Sequence, residues 1–302
     1  MAFAALGVIW GLPYFFIKLA IQGLSPAAIA WGRIVLAALI LLPIAWRRGA
    51  LPAVMAHKLP VGVFAVVEFV IPFSAIALGE RWISSSLTGI LIATVPLTIA
   101  LLSRFFGLHE RLGAWRLAGL LLGFAGVVIL LGFGTISGAL GWAGVGCMLL
   151  AVLGYAIGPL IIQRHLGNVD PFGPLAASLV VASIVLLPAA AVALPSQVPA
   201  PLVLWSLGIL GAVCTALGML LWFYLIGHAG AARASVITYI NPVVATLLGV
   251  SLLHEHLGVV GCIAFALILL GSWLATRGKT SGGEAQTRDP GTAGLESPGG
   301  NH

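Results

Sequence analysis

The two stretches Leu108-His109-Glu110-Arg111-Leu112-Gly113 and Leu253-His254-Glu255-His256-Leu257-Gly258 are nearly the same six residues, repeated 145 positions apart. The same spacing relates further pairs along the chain, namely Pro26 with Pro171, Pro43 with Pro188, and Gly126 with Gly271. Self-similarity at a fixed spacing is the signature of an internal repeat. The chain is therefore read as two copies of one unit.

The composition indicates that each unit lies in a membrane. The 302 residues are 61% hydrophobic and 7% charged, with a mean hydropathy of +1.15. A soluble domain carries roughly 25% charged residues. The 14 Lys and Arg and the 8 Asp and Glu residues cannot cover a soluble body of this size. This excludes a cytosolic enzyme or a nucleic-acid-binding module, and it makes the lipid bilayer the surroundings of the chain.

Apolar stretches of the length needed to cross a bilayer, about 20 residues, follow one another along the chain. Cutting at charges and Pro/Gly clusters predicts ten transmembrane helices, at 2–22, 26–45, 59–78, 84–106, 116–133, 139–162, 172–194, 202–226, 233–253 and 257–276. The fold class is thus an all-α polytopic membrane protein with five-helix repeats at 1–133 and 139–276. Because five is odd, the second copy enters the membrane inverted. The polar residues 277–302 predict a disordered tail.

Loop charges predict the orientation. With both termini in the cytoplasm, the only Lys or Arg in the outer loops is Arg81, beside Glu80. The inner loops and the C-terminus hold eleven basic residues: Arg47, Arg48, Lys58, Arg104, Arg111, Arg116, Arg164, Arg233, Arg277, Lys279 and Arg288. This asymmetry follows the positive-inside rule.

Several motifs resemble the EamA-type family of the drug/metabolite transporter superfamily over residues 1–276. They are Val8-Ile9-Trp10-Gly11, Ser25-Pro26 followed by Arg33, Ser84-Ser85-Ser86 with Pro96, the two stretches quoted above, and Asn241-Pro242. The overall pattern is similar to the YddG-type aromatic amino acid exporters of bacteria. The resemblance implies ten helices, cytoplasmic termini, a bacterial inner-membrane location and export of amino acids or metabolites. One departure is that Ser178 occupies the position equivalent to Arg33.

Three ionisable residues, Lys18, Arg33 and Glu68, lie inside predicted spans. Charges there are costly and usually face a cavity or a partner. Lys18 is near the outer end of its helix, where it either snorkels to the interface or serves function. Arg33 lies deeper, where a structural clamp is favoured over a ligand contact because the family motif has Arg there. Glu68 lies mid-span and is interpreted as a proton-titrated group, an ion-pair partner of Arg33 or Lys18, or a protonated acid bonded within the bundle.

A central cavity is expected among helices 1, 3, 4, 6, 8 and 9. Trp10 and Tyr14 are four residues apart and share a helix face, and Tyr155 is the repeat equivalent of Trp10. Pro96 and Pro242 interrupt equivalent helices, either for packing or beside a ligand. The predicted substrate-binding residues are Trp10, Tyr14, Glu68, Tyr155, Trp222, Tyr239 and Asn241, with structural or coupling roles for Lys18, Arg33, Pro96 and Pro242.

The sequence offers little for catalysis or metal binding. Cys147, Cys214 and Cys262 lie in separate apolar stretches and are interpreted as small buried hydrophobes. His254-Glu255-His256 lacks metal-ligand spacing. No catalytic residue, metal or cofactor is therefore predicted, and a membrane enzyme is disfavoured because no nucleophile accompanies the one deep carboxylate.

The predicted function is that of a secondary transporter exporting neutral and aromatic amino acids or related metabolites by alternating access. The alternative within the same superfamily is a multidrug exporter of lipophilic cations. A passive channel is disfavoured because the spans are too apolar for a wide wet path. Proton-coupled and downhill export are both compatible with the sequence. The expected partners are a small-molecule substrate and the bilayer, with no nucleic acid.

Overall fold

The computed structural model describes residues 2–102, 105, 114–132, 136, 138–229 and 237–276. Within these ranges the chain is all-helical and has ten apolar helices. They are α1 Ala2–Ala20, α2 Pro26–Arg47, α3 Pro52–Gly79, α4 Ser85–Leu102, α5 Ala114–Gly132, α6 Gly138–Leu166, α7 Phe172–Val192, α8 from Pro201 to Ala229, α9 Ile237–Leu252 and α10 Val259–Thr276. Seven are long and apolar enough to cross a membrane, and the described parts of α5, α9 and α10 are shorter apolar helices.

The number of helices agrees with the sequence, but several boundaries differ, among them the end of α6, which lies at Leu166 and not at residue 162. Helix α3 begins earlier than predicted because a 3₁₀ segment, Pro52–His57, continues directly into it. Proline suits the first turn of a helix, where its missing N–H has no partner to lose. Helix α4 is described as far as Leu102, and most of the rest of its predicted span, 103–106, lies outside the described residues. The His109-Glu110-Arg111 motif and the predicted tail at 277–302 lie outside the described residues.

Three pairs of repeat-equivalent helices, α2–α7, α4–α9 and α5–α10, pack against each other, and the contacts of two of them show that they run antiparallel. In the α2–α7 pair, Ser25 Oγ donates to the carbonyl of Ala193 at 3.0 Å, and Trp31 Nε1 donates to the carbonyl of Ser183 at 3.0 Å. Residue numbers thus rise along α2 where they fall along α7. Equivalent helices that run in opposite directions are what an inverted repeat requires.

The α5–α10 pair shows the same relation. A Cβ added to Gly126 would lie 2.9 Å from the carbonyl oxygen of Ala264, and one added to Gly271 would lie 2.7 Å from the carbonyl oxygen of Gly119. These two contacts exchange under the 145-residue spacing, since Gly126 corresponds to Gly271 and Gly119 to Ala264. Small residues on both faces allow the two backbones to approach closely.

The remaining contacts follow the repeat as well. Helix α1 packs on α9 as α6 packs on α4, and α2 packs on α8 as α7 packs on α3. One buried core joins α1, α3, α4 and α6, and a second joins α2, α3 and α7. Tyr155 of α6 packs against both cores. Large apolar side chains such as Leu39 and Leu121 are exposed on the outside of the bundle, where lipid would cover them.

We name the two ends of the bundle by their connections. The distal end carries the α1–α2, α3–α4 and α9–α10 connections, and the proximal end carries the N-terminus. The loop charges predict that the distal end faces outward.

Candidate functional site

The helical hydrogen-bond ladder is irregular at equivalent places of α3 and α8. Each contains a π-helical segment, Ala65–Val70 in α3 and Ile209–Leu217 in α8. In α3, Pro72 has no N–H to offer the carbonyl group four residues earlier, at Glu68. Because π-helical turns are frequent at functional sites, the side chains of these two segments are candidates for a functional role.

Glu68 projects from the π-helical segment of α3 onto bare backbone of α6. A Cβ on Gly158 would fall 1.9 Å from Glu68 Oε2, so only glycine leaves room for this carboxylate. The Oε2 atom is fully buried and has no hydrogen-bond partner among the described residues. An unsatisfied buried polar atom is uncommon in native proteins. Glu68 is therefore a candidate site for a proton or a ligand.

Arg33 of α2 is buried, with 5% of its surface exposed, and joins three helices. Its Nε and Nη2 atoms donate to Thr215 Oγ1 in the π-helical segment of α8, at 3.3 and 3.1 Å. Its guanidinium carbon lies 3.7 Å from the centre of the Phe73 ring of α3. A cation over an aromatic face is stabilised electrostatically, and more so when desolvated. Arg33 thus ties α2 to the irregular helices of both halves.

Tyr14 and Tyr155 bring phenol groups near this arginine. Both side chains lie within electrostatic range of the Arg33 guanidinium, and Tyr155 also lies within range of Glu68. Tyr14 is buried in the core that joins α1, α3, α4 and α6. The structure therefore brings Tyr14 and Tyr155 near Arg33, and Tyr155 also near Glu68.

Trp10 and Trp222 form a separate aromatic pair between α1 and α8. Their ring centres are 5.2 Å apart with the planes tilted by 40°. Gly218 makes room for Trp10, because a Cβ there would lie 2.5 Å from the indole nitrogen. Such a pair adds roughly 0.5–1.5 kcal/mol beyond its buried area.

Tyr239 and Asn241 of α9 bind main-chain atoms of neighbouring helices. Tyr239 donates from its hydroxyl to the carbonyl of Ser272 in α10 at 3.1 Å. In the orientation that satisfies its amide, Asn241 donates to the carbonyl groups of Ile237 at 2.9 Å and Gly7 of α1 at 3.0 Å. Both side chains thus link α9 to its neighbours.

The two predicted proline kinks lie where α4 and α9 approach the bundle centre. Pro96 is buried just after the interruption of α4, where the Thr94 hydroxyl donates to the carbonyl of Leu91 at 2.6 Å. Pro242 is buried in α9 facing α4, since a Cβ on Gly89 would lie 3.8 Å from its Cα. Pro242 therefore lies at the contact between the equivalent helices α4 and α9, whereas the segment of α4 that holds Pro96 packs on α6 and α10.

At the distal end, the Lys18 side chain is held by hydrogen bonds to the protein and does not simply extend to the membrane interface. Its ammonium group donates to the main-chain carbonyls of Glu80 and Ile83, the latter at 2.7 Å. These carbonyls follow the C-terminus of α3, where the helix dipole favours a cation. Lys18 therefore joins α1 to the α3–α4 connection.

A second distal contact joins the α9–α10 connection to α4. Glu255 Oε1 accepts hydrogen bonds from the backbone nitrogen and hydroxyl of Ser85, at 2.7 and 2.9 Å. Its Oε2 accepts from the same two groups of Ser86, at 2.9 and 2.6 Å. A carboxylate at a helix N-terminus is stabilised by the free N–H groups and by the dipole.

A cavity of about 450 Å³ opens beside these contacts, and a groove of about 370 Å³ lies along the proximal half of α3. The distal cavity is lined by Lys18, Gln22, Arg81, Trp82, Ile83, Ser84, Leu253 and Glu255. The groove is lined by Lys58, Leu59, Gly62, Val63, Val66 and Val67. Of the residues predicted from the sequence, only Lys18 lines either space in the part of the chain that the structure describes.

Sequence reasoning missed Glu80 and Thr215 as members of the polar network. The sequence places Glu80 in an outer loop beside Arg81, yet in the structure the Glu80 side chain is completely buried. Thr215 is one hydroxyl in an apolar helix, and no local pattern distinguishes it. The role of Glu255 had a signal, because the Ser84-Ser85-Ser86 run marks a helix N-terminus that favours an acidic partner.

Metal binding finds no support in the described part of the chain. There, no three His, Cys, Asp or Glu side chains come together in a way that could hold a metal ion.

Ten apolar helices, arranged as inverted repeats around buried charged side chains, define a multi-pass membrane transporter. The sequence matches the EamA-like transporter family over residues 1–132 and 142–277. The chain belongs to this family of the drug/metabolite transporter superfamily, whose members are transporters and not enzymes.

Individual relatives agree with this assignment. The uncharacterized inner membrane transporter YedA of Escherichia coli K12 is 29% identical over 290 residues, covering 92% of this chain and 90% of YedA. An uncharacterized transporter of Archaeoglobus fulgidus is 30% identical over 275 residues, covering 89% of this chain and 95% of the relative. A crystal structure with 20% identity superposes with a TM-score of 0.67, covering 91% of this chain and 94% of the other, which shows the shared fold.

Proposed function

We propose that this EamA-like transporter exports small amphipathic amino acids, aromatic ones included, by alternating access. The observation that carries the proposal is the buried Glu68 Oε2 atom, which has no hydrogen-bond partner among the described residues. A carboxylate at this depth needs a proton or a cation. The ammonium group of an amino acid is a cation of suitable size.

Arg33, which lies near Tyr155 as Glu68 does, supplies the donors that the carboxylate of a zwitterion needs. The Arg33 guanidinium has five N–H donors, and its bonds to Thr215 engage only Nε and Nη2. A substrate carboxylate would pair with the remaining donors. Tyr14 and Tyr155 offer aromatic walls for an apolar side chain. Lys18 is less suited to the carboxylate, because its ammonium group already binds two carbonyls.

The proposed movement is a rocking of one repeat, residues 1–133, against the other, residues 139–276. The antiparallel α2–α7 and α5–α10 pairs support it, because each pair joins equivalent helices of the two halves. By the loop charges, the termini lie in the cytoplasm. The inner membrane of a bacterium is proposed as the location, since YedA is named as an inner membrane transporter.

Counterflow in vesicles tests this function. Purified protein is reconstituted into vesicles loaded with unlabelled phenylalanine, and uptake of labelled phenylalanine is followed, with leucine and lysine as competitors. We expect saturable counterflow that phenylalanine and leucine inhibit. Glu68→Gln is expected to reduce it at least tenfold, and Asp170→Asn, which changes an exposed acid at the proximal end, to leave it unchanged.

Other outcomes identify a different activity. Absence of counterflow for any amino acid, together with movement of a lipophilic cation such as tetraphenylphosphonium, would replace the proposal with multidrug export. If Glu68→Gln keeps counterflow but loses its pH dependence, Glu68 is a coupling proton site and not a substrate contact.

A further inference from the structure

The second deeply buried carboxyl group of the bundle is Glu80, at the distal C-terminus of α3. Its side chain is 0% exposed, and both carboxylate oxygens lack a hydrogen-bond partner among the described residues. Its backbone nitrogen closes the helix by donating to the carbonyl of Ile76 at 3.0 Å. Partial negative charge collects at a helix C-terminus, so this position disfavours a carboxylate anion.

Charged and titratable groups face Glu80 from several elements. Lys18 and Tyr14 approach from α1, Arg33 from α2, and Glu255 from the α9–α10 connection. On α6, Cys147 lies beside the preceding residue, Gly79. Lys18 is a candidate counter-ion, but its ammonium group donates to the carbonyl oxygen of Glu80 and not to the carboxylate.

Glu80 and Glu255 lie at the same end of the bundle, but their carboxyl groups have opposite electrostatic surroundings. Glu255 sits at a helix N-terminus and accepts four hydrogen bonds from Ser85 and Ser86. Glu80 sits at a helix C-terminus and accepts none from the described residues. Glu255 therefore has the donors that a carboxylate needs, whereas the Glu80 carboxyl group has none among the described residues. Burial raises the pKa of Glu80 well above its usual 4.5, with Glu255 adding to the rise and Lys18 and Arg33 opposing it.

The distal cavity lies beside this buried acid. It is lined by Arg81, the next residue in the chain, and by Lys18, which donates to the carbonyl oxygens of Glu80 and Ile83. Breaking the Lys18 contact and the Glu255 contact with α4 would open the distal end and admit water to the carboxyl group. Hydrated, Glu80 ionises, and its carboxylate becomes a partner for the Lys18 ammonium group.

We propose that Glu80 is a proton-binding site that exchanges with the distal solvent, and that proton release from it favours opening of the distal end. The site is distinct from Glu68, and the inference rests on the alternating access proposed above. A proton bound here on closure and lost on opening would make the resting state of the transporter sensitive to distal pH.

Thiol accessibility without any substrate tests the proposal. In a variant with Cys147, Cys214 and Cys262 replaced by alanine, Leu253→Cys places a thiol in the distal cavity. Ser196→Cys, made separately, places a reference thiol in the exposed α7–α8 connection. The ratio of the two labelling rates cancels the pH dependence of thiol reactivity. We expect this ratio to rise at least fivefold between pH 6 and pH 9.

Variants of Glu80 decide the origin of the effect. Glu80→Gln mimics the protonated form and is expected to give a low, pH-independent ratio, whereas Glu80→Asp keeps a pH-dependent one. The exposed histidines of the α9–α10 connection are the control, and His254→Asn with His256→Gln is expected to keep the rise. A flat ratio in the parent protein, an unchanged rise in Glu80→Gln, or loss of the rise in the histidine variant would each overturn the proposal.

Chemical modification gives a readout that needs no variant. Dicyclohexylcarbodiimide reacts with protonated carboxyl groups in apolar surroundings, and mass spectrometry locates the adduct. We expect modification of Glu80 that falls as pH rises; equal modification from pH 6 to pH 9 contradicts the assignment. Neither measurement uses an amino acid, so failure of the vesicle counterflow and failure of the proton site are separate results.

Discussion

Lys18 and Glu80 are joined through a main-chain oxygen and not through their opposite charges. The Lys18 ammonium group donates to the carbonyl oxygen of Glu80, while both carboxylate oxygens of the same residue lack a hydrogen-bond partner among the described residues. The pair thus fastens α1 to the end of α3 and leaves the acid available for a proton. It shows that a charged pair of residues at a membrane interface need not be an ion pair.

Replacing Lys18 by Met is expected to destabilise the protein by about 2–3 kcal/mol. Two hydrogen bonds from a charged donor are lost, and the carbonyls of Glu80 and Ile83 are left without that donor. The measurement is the midpoint of thermal unfolding in detergent. Lys58→Met is the matched control, since Lys58 is exposed at the proximal end. Equal midpoints for the two variants would contradict the contact.

Replacing Glu255 by Gln is expected to cost about 2 kcal/mol. The amide group of glutamine turns an –NH₂ donor toward the N–H and hydroxyl groups of one serine, and the charge at the α4 N-terminus is lost. Chemical unfolding in detergent measures the change. Asp170→Asn is the control, because Asp170 pairs with Arg48 at 3.7 Å on the surface, where such a pair contributes roughly 0–1 kcal/mol.

The effect of Glu255→Gln should also depend on its partners. If Ser85→Ala and Ser86→Ala are made first, the further loss on changing Glu255 is expected to shrink, because contacting residues are not additive. Full additivity of the three changes would show that Glu255 stabilises the protein in another way.

Replacing Gly158 by Ala is expected to destabilise the bundle by about 1–3 kcal/mol, the usual cost of overpacking. The new methyl group would fall 1.9 Å from Glu68 Oε2 and displace the carboxylate. Gly146→Ala on the same helix is the control, because no atom lies within 4 Å of its added Cβ. Shortening the acid in Gly158→Ala with Glu68→Ala should restore part of the stability. No difference between the two glycine variants would refute the contact.

Replacing Gly271 by Ala is expected to weaken the α5–α10 pair by a similar amount. The Cβ would lie 2.4 Å from the backbone nitrogen of Gly123, and backbone cannot move aside as a flexible side chain can. Gly132→Ala, with open space around its Cβ, is the control. Thermal unfolding compares them, and a neutral Gly271 variant would argue against close packing of these equivalent helices.

Glu80→Gln is expected to change how stability depends on pH. Because burial raises the pKa of Glu80, the folded protein keeps this proton at pH values where the unfolded chain has lost it. Wild-type stability from this group is full below the usual pKa of 4.5 and falls as pH rises toward the folded pKa. Glutamine does not titrate, so it has no such loss. As pH rises, the thermal midpoint of the variant should therefore increase relative to that of the wild type. A constant difference across pH 5–9 would contradict the raised pKa.

The sequence alone determined the helical class, the number of helices and the duplication. These follow from local properties, since a spanning helix needs a long apolar run and a repeat leaves residues such as Gly126 and Gly271 at one fixed spacing. The depth of Glu68 could be counted along its helix for the same reason. The inversion of the second repeat followed from an odd helix count.

Only the tertiary structure decided which polar groups meet. Arg33 finds its acceptor Thr215 at a distance of 182 residues along the chain, and Glu255 finds Ser85 at 170. Glu80 looks like a solvated loop residue because its neighbour Arg81 is charged, yet it is completely buried, and Lys18 of α1 donates to its carbonyl oxygen. Hydropathy measures how long a segment stays apolar, whereas burial of a single charge depends on which distant helices pack over it.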